Sequence, residues 1–522
     1  MKNIITNTLF KVIVSLALIA STACTDYLNQ DPIDSLDPNN FFRDESEIRS
    51  AIVGVYSTLE MDLFIRLDRY TDNIYGFKDN TAKSYQAGEH TAYEGDFLDR
   101  WALDYNAIGR ANLAIDGIQN STVDEQIKSP YLGEALFLRG FYYFDLTQHF
   151  GDVPLLIEKP SVAPNDILVS RETRANIIAQ IIKDLDAAVE LLPLENETGR
   201  VSKGAALALK ARVMLFDGDM PGAAAAAKAV MDLGVYGLFK GTDAFKKLFW
   251  EENEDNEEVV FSIKYMTEFK PSLLNKRLVN SSRYAVTLSL ANEFEMANGK
   301  LIDEADSGFD PENPFDNRDP RFDYTILKPG GIQEGLFESD GTPTIYIPTD
   351  KTATSMRFNK FVQWDRGDWE IYDGQDWIMI RYAEVLLMFA EATNEISGAT
   401  TEVYDAINDI RSRAGMPDLP TGLSKEAMRD RIRHERRVEL AAEGLRLYDI
   451  NRWQIGPETA TDLMGYDKSK LKDPNNPDKW KLVETVVLNR SWNTAKGYLW
   501  PIPGIEREVN PKLTQNSGYG SD

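Results

Sequence analysis

The stretch LGEALFLRGFYYFDLTQHF, residues 132–150, constrains the fold more than any other feature of the chain. Its apolar side chains fall on nearly every side of a helix rather than along one stripe. A helix built from it must therefore be covered all round by neighbours. Such a segment demands a body with several packed helical layers. Gly151 and Pro154 then end it.

Suitable neighbours lie on both sides. Residues 45–59 and 98–119 carry apolar positions at three- and four-residue spacing, and residues 173–192 form a stripe of Ile177, Ile181, Leu185, Ala188 and Leu192. Ser202 is placed to cap a helix over residues 203–216. Over residues 203–232 two helical runs flank the turn 217–222, with Pro221 near the start of the second. Small residues line both runs, which lets the helices approach closely. Residues 381–395 and 403–413 repeat this design and stop at Gly415 and Pro417. These pairs resemble tetratricopeptide units, whose period is about 34 residues, although they are irregular and non-contiguous. The fold class is therefore mainly α: a tetratricopeptide-like scaffold of helical pairs with large loop-rich insertions and a few short β-strands.

The helical pattern stops over residues 60–97 and 234–378, which are rich in Gly, Pro, Asn, Asp and aromatics. Strand-like runs occur within the second of these, at residues 259–264 and 344–347. Loops of this length in a compact chain are usually functional. The charge run EENEDNEE, residues 251–258, reads as a solvated loop rather than a metal site.

Charge narrows the partners. Asp and Glu number 83 against 57 Lys and Arg, a net charge of −26 that repels phosphate backbones and argues against nucleic acid. The chain has one cysteine, so no intramolecular disulfide can form. That residue, Cys24, follows Ser21, Thr22 and Ala23 at the end of a short apolar run, residues 12–20, with Lys2 upstream and Lys11 just before it. This is the layout of a secretory signal, too short to span a membrane.

A Cys at that border resembles a bacterial lipoprotein signal, in which the thiol takes a diacylglyceryl group and becomes the mature N-terminus. Ser21 departs from the branched residue usual three positions before the Cys. The alternative is a free Cys behind an ordinary cleavage site. The expected division is a signal peptide over 1–23, a lipidated polar tether over 24–40, and a single domain over 41–522. Within that domain the helical scaffold covers 41–233 and 379–455, the loop-rich insertion 234–378, and a C-terminal segment 456–522.

The most specific pattern is C-terminal: HERRVELAAEGLRLYDINRW over 434–453 and LWPIPGIEREVNPKLTQNSGY over 499–519. DYLNQDP, FFRDESEIRSAIVGVYSTL, LDYNAIGRANLAID, NRDPRFDYTI and IRYAEVLLMFAEATNE agree with it. Together these closely resemble the SusD/RagB family, outer-membrane nutrient-uptake lipoproteins of Bacteroidetes, along essentially the whole chain. Within the first motif Glu435, Glu439 and Glu443 lie at successive i+4 positions of one predicted helix, with Gly444 as its stop. Arg436, Arg437, Arg446 and Arg452 are the nearby partners. Clustered carboxylates would suit acid–base chemistry, but an ion-pair network clamping two helices is the reading adopted. Trp101 and Arg381 are likewise read as structural. The three histidines are scattered, and no HExxH, Cys/His or P-loop pattern occurs, so no metal or cofactor is expected.

The resemblance implies a surface-exposed, non-catalytic binding protein, a lid over a SusC-like TonB-dependent outer-membrane transporter, capturing oligosaccharides or, in some members, peptides. Flat aromatics suit sugar C–H faces, and Asp, Asn and Arg suit sugar hydroxyls. By region, the resemblance points to an early loop with Asp72, Asn73, Tyr75 and Tyr85. The best aromatic surface in sequence is 361–377, with Trp364, Trp369, Tyr372 and Trp377. Two alternatives stand beside glycan binding: the same scaffold recognising peptides or another nutrient, and an envelope glycoside hydrolase. The latter needs two carboxyls about 5–9 Å apart.

Overall fold

A computed structural model describes residues 41–160, 168–280, 284–348, 352–364, 373–473 and 476–520. Its helices begin at polar caps. α1 (Glu45–Tyr56) starts at Asp44, α2 (Asn80–Gln86) at Asp79, and α3 (Gly95–Asn120) precedes α4 (Glu125–Phe150), which starts at Asp124. α5 (Arg174–Leu191), α6 (Lys203–Asp217) and α7 (Met220–Asp232) start at Thr173, Ser202 and Asp219. At each of these caps a side-chain oxygen accepts a backbone N–H that the first turn leaves unpaired.

The helix demanded by residues 132–150 is α4, and every residue from Gly133 to Phe150 is buried. α1, α3 and α5 cover it. It begins seven residues earlier than its apolar run, because the polar first turns carry no hydrophobic signal. The pile continues through α6 to α7, whose buried stripe is Ala223, Ala226, Ala227 and Val230. After α7 the chain leaves the pile. It returns at α10 (Tyr382–Ser397), which packs on α7 itself. The small side chains of α7 are thus the seam across which the insertion opens.

Between these helices the chain forms short strands and helices. β1 (Ile74–Tyr75), β3 (Ala285–Val286), β7 (Arg357–Phe358) and β4 (Ile326–Leu327) make an antiparallel sheet in that order. β2 (Val259–Ile263) pairs antiparallel with β8 (Trp377–Arg381), and β5 (Ile332–Phe337) with β6 (Pro343–Ile345). α8 (Leu288–Glu293) and α9 (Arg321–Thr325) also belong to the insertion. α11 (Thr401–Arg413) and α12 (Lys425–Glu439) both pack on α10, and α13 (Arg446–Trp453) follows.

One expectation is corrected here. Glu435, Glu439 and Glu443 do not share a helix, because α12 stops at Glu439. The chain turns through Ala442 (φ 67°) and Gly444 (φ 76°), both in the left-handed region. A Cβ on Gly444 would lie 2.5 Å from the carbonyl oxygen of Phe64, so glycine is needed for space as well as for φ.

Candidate functional site

The conspicuous carboxylates of the C-terminal motif are fully engaged. Glu439 accepts from Arg381 Nη1 at 2.6 Å, from Arg321 Nη1 at 2.9 Å and from Arg413. Glu435 accepts from Arg411 Nη1 at 3.0 Å and from Arg321. Glu443, arriving from the turn, accepts from Arg381 Nε at 2.8 Å and Lys360 Nζ at 2.7 Å. Glu258 completes the group, 2.7 Å from Arg381 and 2.8 Å from Arg413.

These cations come from the insertion, β8 and α11, not from the motif. Its own arginines turn elsewhere: Arg436 to Asp449, Arg437 and Arg446 to Asp72, and Arg452 to Glu391. The clamp reading therefore holds with different partners from those expected. Glu258 is buried, so the end of the charge run is interior rather than solvated.

Burial alone would raise the pKa of Glu439. The guanidinium groups of Arg413, Arg381 and Arg321 outweigh it and hold the carboxyl below the usual range. Glu435 and Glu443 are lowered in the same way by their own cations. Ionised, buried and saturated with donors, these groups are suited to joining the insertion to the scaffold. Trp101 and Arg381 are both buried, as a structural role requires.

The sequence-selected ligand residues part company. Asp72 is buried, 2.9 Å from both Arg437 and Arg446, and Asn73 Oδ1 accepts from Arg437 Nε at 3.1 Å. Tyr75 is buried in β1. Trp364 is 4% exposed and donates Nε1 to Asn359 at 2.6 Å, while Trp377, at 1%, stacks on Phe361. The expectation of a surface platform over 361–377 is thus corrected for both tryptophans. β8 pairing with β2 draws Trp377 inward, a constraint invisible in a run of Trp, Asp and Gly. Trp369, Tyr372 and Cys24 lie outside the described residues.

Among the described candidates, Tyr85 lines a cleft at the surface. It is half-buried on α2, at the edge of this small cleft, whose cavity volume is about 30 Å³. One wall is the early loop, with Tyr70, Tyr85, Gln86 and His90; the other is the C-terminal segment, with Arg490, Trp492, Asn493 and Lys496. Gln86 closes the early loop by donating Nε2 to the carbonyls of Arg69 at 2.8 Å and Thr71 at 3.0 Å. The second wall is stitched to the first. Ser491 N donates to Gln86 O at 3.1 Å, and both Asn493 Nδ2 and Lys496 Nζ donate to Gly88 O at 3.0 Å.

Trp492 is half-buried, its ring centroid 4.7 Å from that of Tyr498. His90 Nε2 meets the Tyr519 hydroxyl at 2.7 Å. Since that hydroxyl donates to Leu499 O, the network assigns the proton to Nε2. Burial, aided by Lys496, lowers His90 to about 3 and keeps it neutral. Such a cleft offers half-exposed rings beside amide, guanidinium and ammonium donors, the chemistry of a polyhydroxylated ligand.

Residues 490–496 were not selected from sequence. Their signal, one Trp among Arg, Ser, Asn, Thr and Lys, is similar in kind to that of 361–377. Nothing local says which of two such runs reaches the surface. Among the described residues no three His, Cys, Asp or Glu side chains converge as metal ligands, and no helix is long and apolar enough to cross a membrane.

Helical pairs carrying a loop-rich insertion, with a polar aromatic cleft between an early loop and the C-terminal segment, define a helical scaffold of tetratricopeptide-like pairs. The SusD family model matches residues 251–519, and a second model, described as starch-binding associating with outer membrane, matches 26–215; the chain belongs to the SusD family. It is similar to SusD-like protein P2 of Formosa agariphila, with 26% identity over 98% of this chain and 99% of that one. Among solved structures, a SusD-like protein from Bacteroides fragilis matches with a TM-score of 0.82 and 28% identity, covering 94% of this chain and all of that one. A SusD-like carbohydrate binding protein from the same species matches with a TM-score of 0.80 and 27% identity, over 91% of this chain and 99% of the other.

Proposed function

We propose that this chain is a lipid-anchored, surface-exposed outer-membrane protein that binds oligo- or polysaccharide and delivers it to a SusC-like TonB-dependent transporter. The observation that carries the glycan reading is the cleft, where Tyr85 and Trp492 present half-exposed rings beside Arg490, Asn493 and Lys496. The starch-binding description of the matching family model and the carbohydrate-binding structural neighbour support the same class of ligand. The anchor is assigned to Cys24, behind the signal of residues 1–23. In this reading the helical pile meets the transporter and the loops meet the ligand. Binding rather than turnover is favoured because the clustered carboxylates Glu435, Glu439 and Glu443 are each saturated by cations.

Affinity electrophoresis against a glycan panel tests the cleft, with Trp492→Ala and Tyr85→Ala beside wild type. Each variant is expected to weaken glycan binding about two- to tenfold, the scale of one aromatic contact. Wild type that binds no glycan, or variants that bind as wild type does, would sink the assignment. For the anchor, Cys24→Ala should leave the membrane fraction; unchanged recovery there would overturn it.

A further inference from the structure

We propose that the cleft selects an acidic glycan, Arg490 and Lys496 holding a carboxylate or sulfate on the sugar while Tyr85 and Trp492 take its ring faces. This deepens the glycan reading above and rests on it. The first observation is one of charge distribution. Acidic residues outnumber basic ones by 83 to 57 in the chain, yet none of the residues lining this cleft is Asp or Glu. Its charged side chains are Arg490 and Lys496, His90 being neutral.

The second observation is that neither of these two cations has a carboxylate partner among the described residues, a condition shared by half-buried Arg171 and Arg433. Buried arginines elsewhere face carboxylates: Arg100 meets Asp145, Arg139 meets Asp184 at 2.7 Å, and Arg212 meets Glu384 at 2.5 Å. Arg318 lacks such a partner, but its donors end on the carbonyls of Ala291, Phe294 and Pro314. Arg490 has neither solution. Its Nη1 donates to Thr459 O at 2.5 Å, and its buried Nε has no partner among the described residues.

Arg437 and Arg446 lie within electrostatic range of Arg490; both pair with Asp72, and Arg437 pairs with Glu293 as well. A partly desolvated guanidinium among other guanidinium groups is unfavourable without a further anion. Further along the same wall Lys496 Nζ rests on the carbonyls of Gly88 and His90 across the cleft. Its nearest acidic influences, Glu89 and Glu94, form no ion pair with it. The planar fork of an arginine matches a carboxylate or sulfate in two-point fashion, whereas neutral hydroxyls need no such group.

Calorimetry on the mature chain with three probes decides the matter: a neutral malto-oligosaccharide, an oligogalacturonide carrying carboxylates, and a sulfated malto-oligosaccharide. One acidic probe is expected to bind about tenfold or more tighter than the neutral one, as one charge-assisted contact allows. Which acidic probe prevails separates carboxylate from sulfate. Arg490→Gln and Lys496→Gln should each erase that preference, weakening the acidic probes far more than the neutral one, and Arg490→Lys should restore part of it. Lys496→Gln carries the test should Arg490→Gln fold poorly. If wild type binds the neutral probe as well as the acidic ones, or both Gln variants keep the preference, acid selection is wrong and the glycan reading stands. If none of the three binds, the glycan reading of this cleft falls and acid selection with it.

Discussion

Cationic side chains gather at the clamp and line the early-loop cleft of this protein, and they meet different fates. Where the insertion joins α10 and α12, Arg321, Arg381, Arg411 and Arg413 each meet at least one of Glu258, Glu295, Glu435, Glu439 and Glu443. At the early-loop cleft, Arg490 donates to the Thr459 carbonyl, and Lys496 to those of Gly88 and His90 with the Tyr519 ring 5.5 Å away. Matched and sealed, a guanidinium becomes a rivet, because separating it from its carboxylate leaves a buried charge uncompensated. Unmatched and half-exposed, it keeps its remaining donors for something that is not part of the chain. Residue type is the same in both regions; the count of carboxylates within reach differs.

The sharpest way to break this contrast is Glu439→Gln, which strips three guanidinium groups of a shared partner. A loss of about 3–5 kcal/mol in chemical denaturation is expected. A loss below about 1 kcal/mol would mean the clamp stabilises no more than an exposed ion pair does. Next comes Trp364→Ala, which empties a buried site and should cost about 3–5 kcal/mol while leaving glycan affinity intact. Trp492→Ala should show the reverse balance, weakening binding with little effect on the melting temperature.

The pH profile separates the two kinds of carboxylate. Glu435, Glu439 and Glu443 are held below the ordinary value of 4.5, so their contribution is full above that value and is lost as pH falls through their depressed folded values. Glu254 behaves oppositely, since burial and Asp376 push it up to about 8. Protonating it favours the folded state, so stability should rise as pH falls from about 8 toward 6.5. Below that value His90 and His149, held neutral in the fold, oppose the gain, and stability should drop as the clamp protonates. Melting curves across that range should show a mildly acidic maximum, and Glu254→Gln should flatten its alkaline side. The smallest effect is expected of Arg490→Gln, within about 1 kcal/mol of wild type in stability. A large destabilisation there would make Arg490 another rivet and erase the distinction.

Much of the scaffold was legible in advance. The all-round apolar pattern of residues 132–150 required a covered helix, and α4 is one. Ser202 caps α6 as its position suggested, and the small residues of α6 and α7 do mark a close helical pair. The Glu triad is ion-paired as its spacing implies, but its partners are not the neighbouring arginines. Arg321, Arg381 and Arg413 reach Glu439 from 118, 58 and 26 positions away, whereas Arg436 and Arg437, its sequence neighbours, leave the helix on other faces.

The cleft was the least legible feature. Asn493 meets Gly88 across 405 residues, and no local pattern encodes that approach. Helix starts, stops and buried stripes follow from contacts between residues three or four apart, so they can be read along the chain. Whether Trp364 is interior and Trp492 at a rim, or whether an arginine finds a carboxylate, depends on which distant segments pack together. That is settled by burying apolar surface and matching charge over the whole body, and only in the folded molecule do Arg490 and Lys496 emerge as cations left without a carboxylate.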